Sequence, residues 1–174
     1  MASERLTEED QIFELIKNGH NFLLSGGAGS GKTYSLVEVI KKILSEYPKA
    51  KIACITYTNT AVHEIEKRFS YKNMRVSTIH DFLWDNIKHF QKELKIAIIT
   101  LSNDENVNKI KIDGLNKMSD DYFDNKEEPV EIQYKEYLKL KDGIISHDEL
   151  LVVADYMFGK YSKLCDILKD RYKF

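Results

Sequence analysis

Gly26-Gly27-Ala28-Gly29-Ser30-Gly31-Lys32-Thr33 is the stretch on which the reading of this chain turns. It fits G-x-x-x-x-G-K-S/T, the pattern of a phosphate-binding loop. Glycines lack a Cβ, so the backbone can turn tightly and aim several N–H groups into one concavity that holds phosphate oxygens. Lys32 offers a flexible cation to the β and γ phosphates, and Thr33 a hydroxyl to Mg²⁺. A helix directly after the loop adds the positive end of its dipole.

The flanks suit the loop. Asn21-Phe22-Leu23-Leu24-Ser25 is a short apolar run of the kind that forms a buried strand ending at such a loop. Between Thr33 and Ser45, Leu36, Val37, Ile40, Ile43 and Leu44 share one helical stripe, with Glu38, Lys41 and Lys42 turned away. Strand, motif and amphipathic helix in this order predict a site for a nucleoside triphosphate with Mg²⁺.

Upstream, residues 6–18 predict a helix, capped by Thr7 with Asp10 three residues on, buried through Ile12, Phe13, Leu15 and Ile16, and stopped by Asn18-Gly19. Downstream, Lys51 to Thr56 is a second buried strand. A helix from Asn59 or Thr60 to about Ser70 follows, with Val62, Ile65 and Phe69 inward, and Met74 to Thr78 makes a third strand. Alternating strands and helices with short joins predict a parallel sheet covered by helices.

After Ile79 the rhythm changes. Ile79, Leu83, Ile87, Phe90, Leu94, Ile98 and Leu101 step by three and four, which predicts one long helix; Ile96 to Thr100 also suits a strand. Residues 102–129, polar and closing on Pro129, predict a solvated loop or irregular insert.

A phosphate-binding loop needs an apolar strand ending in an acid to hold Mg²⁺. Leu150-Leu151-Val152-Val153-Ala154-Asp155 and the acids of Ile144-Ile145-Ser146-His147-Asp148-Glu149 both look suitable. Periodicity argues otherwise, because Leu150, Leu151, Ala154, Met157, Phe158, Tyr161, Leu164, Cys165 and Leu168 follow one helical stripe with Asp155 on its polar side. Asp148 and Glu149 then fall in a first helical turn, where acids suit the dipole.

The 174 residues, 43% hydrophobic and 31% charged, suit a soluble protein of one domain, or of one domain with an insertion. A net charge of -2 predicts no bulk attraction to nucleic acid, so such binding needs a local patch. Cys54 and Cys165 read as free thiols. Met1 to Asp10 is unlike a signal peptide, and no apolar run approaches the ~20 residues that span a bilayer. A cytoplasmic protein without a membrane partner is expected.

Taken together, these segments resemble the N-terminal part of UvrD/Rep-type superfamily 1 DNA helicases. Gln11 stands where that family has its adenine-reading glutamine, and residues 26–33 are its phosphate loop. Ile55-Thr56-Tyr57-Thr58-Asn59-Thr60-Ala61 and Ser77-Thr78-Ile79-His80-Asp81-Phe82 resemble its next two motifs, and Gly143 to Phe174 the approach to its Asp-Glu-x-x-Asp motif. Thr60 replaces the usual lysine, and Tyr34 stands where many members have arginine.

The resemblance implies a RecA-like P-loop NTPase core, α/β, with a parallel sheet flanked by helices and a mostly helical insertion. Residues 1–84 would be the first part of the core, 85–142 the insertion, and 143–174 the return to the next core strand. It implies an ATP-dependent helicase in which Lys32 and Thr33 are catalytic, with Gln11, Gly26, Gly27, Ala28, Gly29, Ser30, Gly31 and Tyr34 completing the ATP site. Single-stranded or partly duplex DNA would meet Tyr57, Thr58, Asn59 and His80. Tyr57 suits either base stacking or a core position, Asn59 either a DNA phosphate or a helix cap. The Asp-Glu motif and a second, C-terminal motor domain would lie beyond Phe174, leaving this chain alone hydrolytically inactive. The alternative is a non-catalytic nucleotide-binding switch or interaction module.

Overall fold

The structure, a computed structural model, describes residues 7–27, 29–68, 71–107, 110–111, 117–125, 128 and 130–174. Met1, Ala28, Phe69, Ser70 and Pro129, named above, and residue 6 of the first predicted helix lie outside the described residues. The fold is mixed α/β in two compact units, Met1–Val76 with Tyr172–Phe174, and Ser77–Arg171.

In the first unit, helix α1 (Glu8–Lys17) forms as predicted. The Thr7 hydroxyl accepts from Asp10 N at 3.2 Å while the Asp10 carboxylate accepts from Thr7 N at 3.2 Å. Two otherwise orphaned N–H groups are thereby satisfied. Helix α2 (Lys32–Glu46) starts from Gly31. Its buried side chains include Val37, Val39, Ile40 and Ile43, whereas Leu36 is exposed. The predicted stripe is thus shifted, because α2 packs with α1 on one side and with Ile52, Cys54 and Ile65 on another, in one apolar cluster.

Strand β1 (Ile52–Thr56) pairs with β2 (Met74–Thr78), and helix α3 (Asn59–Arg68) connects them. The other edge of β1 is taken by the chain's last residues. Lys173 N donates to Lys51 O at 2.9 Å, and Ala53 N to Phe174 O at 2.9 Å. The Phe174 ring lies 5.8 Å from that of Tyr47, over which Lys173 also sits at 4.4 Å.

One expected strand is not formed. Residues 20–27 have no regular structure, and Leu23 is 91% exposed. A strand needs a partner for its backbone groups, and both edges of β1 at its N-terminal half are occupied.

The second unit holds α4 (Ile79–Ile87), α5 (Gln91–Asn103), β3 (Gln133–Tyr134), β4 (Ile144–Ile145), α6 (His147–Lys160) and α7 (Ser162–Arg171). The single helix predicted from Ile79 onward is broken at Lys88–Phe90. Gln91 explains the break. Its side-chain amide donates to Lys88 O at 2.8 Å and Ile132 O at 3.1 Å, and accepts from Ile132 N at 2.8 Å. Ile96 to Thr100 is helical, since Leu94, Ala97, Ile98 and Leu101 all face the core.

Of residues 102–129, several of the described ones are less solvated than the polarity of the stretch predicts. Ile110, Met118 and Phe123 are buried in the unit's core. The Asn103 amide holds the Met118 backbone through bonds of 2.9 and 2.8 Å, and the Lys111 ammonium donates to Ser102 O and Asp104 O at the end of α5. Such a cation suits the negative end of the helix.

Strands β3 and β4 are parallel, with Gln133 opposite Ile144 and Tyr134 opposite Ile145. The helical reading of the acidic candidates holds. Glu149 Oε2 accepts from Ser146 N at 3.0 Å and from Ser146 Oγ at 2.5 Å, capping α6, and Asp155 is exposed on the same helix. The predicted five-turn stripe is divided at Tyr161 into α6 and α7. Cys54 and Cys165 are free thiols. Among the described residues no helix is long and apolar enough to cross a membrane.

Candidate nucleotide site

The loop before α2 is shaped by its glycines. Gly29 and Gly31 have φ of 79° and 81°, a region that side chains with a Cβ rarely adopt. At Gly26 a Cβ would come within 2.5 Å of Ser30 Oγ. The turn is closed by Ser30 N donating to Gly27 O at 3.3 Å, and Ser35 N donates to Gly31 O at 3.0 Å as α2 begins.

Lys32 reaches back over this turn. Its ammonium donates to Gly26 O at 2.5 Å, Gly27 O at 2.6 Å and Ser30 Oγ at 3.0 Å, which uses all three of its protons. The loop therefore brings a cation to its own concave side. The start of α2 strengthens the positive field: its first turn contains no acid, and its N-cap makes no side-chain hydrogen bond. Helix α1 has three acids in that turn and α6 two. Thr33 is half-buried and Tyr34 is 62% exposed.

Gln11 is exposed on α1. That helix is tied to α2 by Ser35 Oγ donating to Glu9 Oε1 at 3.0 Å, by an ion pair of Lys42 with Asp10, and by one of Lys17 with Glu46 at 3.4 Å. The contacts follow the same order along both helices, so α1 and α2 run in the same sense. The Lys42 ammonium, with the Thr7 hydroxyl and backbone, holds the Asp10 carboxyl down at about 2. Glu9 is also held below the carboxylate range, by its own backbone N–H and then by Ser35.

Tyr57 follows β1 and is 80% exposed, which removes the core reading of this side chain. Thr58 Oγ1 accepts from Ala61 N at 3.2 Å, so the cap expected of Asn59 belongs to Thr58, and Asn59 is the first residue of α3. His80 belongs to the second unit. It is 8% exposed, with its ring 4.5 Å from that of His147. Burial, then the neighbouring His147, lowers its pKa. His147, Ser35 and Lys42 were not singled out in the sequence. Their importance depends on pairings across 67, 26 and 32 residues, which no local pattern reveals.

The chain is similar to known proteins along most of its length. An AAA domain family profile matches residues 9–157. Gabija protein GajB of Bacillus cereus (strain HuB5-5) is 42% identical over 90 residues, covering 48% of this chain and 13% of that protein. An ATP-dependent helicase/nuclease subunit of Lactobacillus gasseri is 28% identical over 193 residues, covering 95% of this chain and 16% of the relative. The same subunit of Lactobacillus johnsonii is 26% identical over 182 residues, covering 89% and 15%. The chain thus spans about one-sixth or less of the length of these relatives. No solved structure matches it. By the extent of that profile and the homology along most of its length, the chain belongs to the AAA domain family and is related to UvrD/Rep-type superfamily 1 helicases.

Proposed function

We propose that this chain is the N-terminal part of an ATP-dependent DNA helicase, where it binds Mg·ATP and contributes to movement along single-stranded DNA. One observation carries the reading: a loop with two left-handed glycines folds around the Lys32 ammonium at the acid-free start of α2. ATP supplies the phosphoanhydride and Mg²⁺ neutralises its oxygens. The loop N–H groups hold the phosphates, Lys32 exchanges its carbonyl partners for phosphoryl oxygens, and Thr33 holds the metal. Tyr34 borders the loop, and Gln11 meets the adenine edge with an amide that both donates and accepts.

A RecA-like core interrupted by a mostly helical insertion is the architecture that goes with this function. The return of residues 172–174 to the edge of β1 supports it. A strand continuing from Phe174 would present a fresh edge to residues 21–25 and carry the acid that the loop requires. Tyr57 is the base-stacking residue of the proposed DNA track, with Thr58 and Asn59 beside it. The resemblance also gives a DNA contact to His80, whose ring is buried in the second unit. The remaining partner is a C-terminal motor domain that closes on ATP, in a cytoplasmic enzyme. The second reading, a non-catalytic nucleotide switch, is favoured by the helical setting of Asp148, Glu149 and Asp155.

Titration with a fluorescent ATP analogue and Mg²⁺ tests the site. Lys32→Ala should weaken binding at least about tenfold, as expected for loss of a charge-assisted contact. Equal binding by the two proteins overturns the reading. Sequencing the gene downstream of codon 174 separates the alternatives: an apolar strand followed by Asp-Glu supports the helicase, and a stop codon the switch.

A further inference from the structure

We propose that Asp10 and Lys42 are positioning residues for Gln11, holding α1 in register on the loop helix so that the glutamine amide is set against the base. The inference rests on the reading of Gln11 as the adenine contact and adds the device that fixes its place.

The covalent connection from α1 to the loop does not fix that place. Residues 20–27 form neither helix nor strand, and Leu23 stands out into solvent. The relation of Gln11 to the phosphates must therefore come from the packing of α1 on α2. Part of that packing is apolar, with Ile12, Val37, Val39 and Ile40 in one cluster. Apolar contact sets how closely two helices approach, but it is non-directional and specifies register weakly.

Register comes from the polar ties, and Asp10 is the one that also organises the backbone beneath Gln11. One carboxylate oxygen, Oδ1, takes the Lys42 ammonium. The other, Oδ2, accepts from Thr7 N at 3.2 Å and from Thr7 Oγ1 at 2.7 Å. Gln11 N donates to Thr7 O at 3.1 Å. Lys42, Asp10, Thr7 and Gln11 form a continuous chain from α2 to the residue that would read the base. The Glu9–Ser35 bond lies one residue earlier on α1, and the Lys17–Glu46 pair lies at its far end. The Lys17–Glu46 pair is remote from the turn that carries Gln11, and the Glu9–Ser35 bond ties that turn to α2 without passing through the Asp10 carboxylate.

Exposed ion pairs contribute little to global stability. Loss of this one should leave folding almost unchanged and act on where Gln11 sits. The test compares ATP and GTP as competitors of a fluorescent ATP analogue, on the full chain, for wild type, Lys42→Met, Lys42→Arg and Gln11→Ala. Lys42→Met should lower the preference for ATP about fivefold by weakening ATP and leaving GTP unchanged, the size of effect an exposed pair can exert. Lys42→Arg should retain the preference, and Gln11→Ala should abolish it. Hydrogen exchange should quicken in the first turn of α1 and stay constant in α2.

A preference that survives Lys42→Met but falls in Gln11→Ala overturns the proposal and leaves the base reading standing. A preference unaffected by Gln11→Ala overturns both. Equal weakening of ATP and GTP by Lys42→Met shows a merely structural role and also overturns the proposal.

Discussion

Gly31 and Gly143 share a left-handed backbone and differ in their surroundings, so alanine should affect them differently. Gly31 has φ 81° with nothing within 4 Å of the position a Cβ would take, whereas at Gly143, φ 74°, a Cβ would lie 2.5 Å from Val130 Cγ1 and 3.0 Å from Glu131 O. Gly31→Ala therefore meets backbone strain alone, about 1–2 kcal/mol. Gly143→Ala adds overpacking against the chain before β3, and should cost about 3 kcal/mol or more. Urea unfolding followed at Trp84, in the second unit, checks the larger effect. Nucleotide titration checks the first, which should impair binding more than folding because the strained residue is the cap of α2. Asp10 offers a second check at this scale. Its folded pKa, about 2, lies below the usual 3.8, so its contribution to stability is present above pH 3.8 and is lost as pH falls through 2. Carboxyl NMR titration should show that value rising in Lys42→Met.

At the scale of elements, the parts legible in the sequence were those governed by local chemistry. Thr7 and Asp10, three residues apart in the chain, form the cap expected of them, and Asp148 and Glu149 fall in a first helical turn as expected. The breaks were not legible. Gln91 bends the helix after Ile87 by clasping Ile132, forty-one residues away, and Asn103 orders Met118 in the same manner. Periodicity cannot register a side-chain amide that replaces a backbone partner. Residues 21–25 fail as a strand for a related reason, since an apolar run states a preference and pairing requires an available edge. The start of α4 against the start of α6 gives this scale its prediction. His80 lies at the N-terminus of α4, where the dipole disfavours an imidazolium, and the His147 ring at the N-terminus of α6 packs beside it. Burial and His147 lower the His80 pKa, while Asp81 and Asp148 oppose the shift, and Tyr134 packs 5.3 Å from the His147 ring. A histidine with a folded pKa below 6.5 takes up its proton more readily when unfolded, so stability falls as pH drops through 6.5. Urea midpoints should decline between about pH 7.5 and 5.5, and His80→Gln should flatten the decline. An unchanged slope in that variant assigns the pH response elsewhere.

For the whole molecule, binding a nucleotide and cleaving it make different demands. The loop, Lys32 and Thr33 lie in one unit and need no further element to hold phosphates. Cleavage needs a carboxylate at a strand end to fix Mg²⁺ and a positioned water. The acids whose sequence setting looked suitable are engaged differently: Glu149 is buried in the cap of α6, and Asp148 and Asp155 lie on that helix and not at a strand end. The chain should therefore bind Mg·ATP and release it intact. Phosphate release measured with excess ATP should stay at the level of a Lys32→Ala control. Turnover on the order of 1 s⁻¹, ordinary for an enzyme, would contradict the need for a further strand and point to an acid supplied from within these residues. Glu149→Gln and Asp155→Asn would then locate it, since only the true metal ligand would abolish turnover while leaving the fold intact.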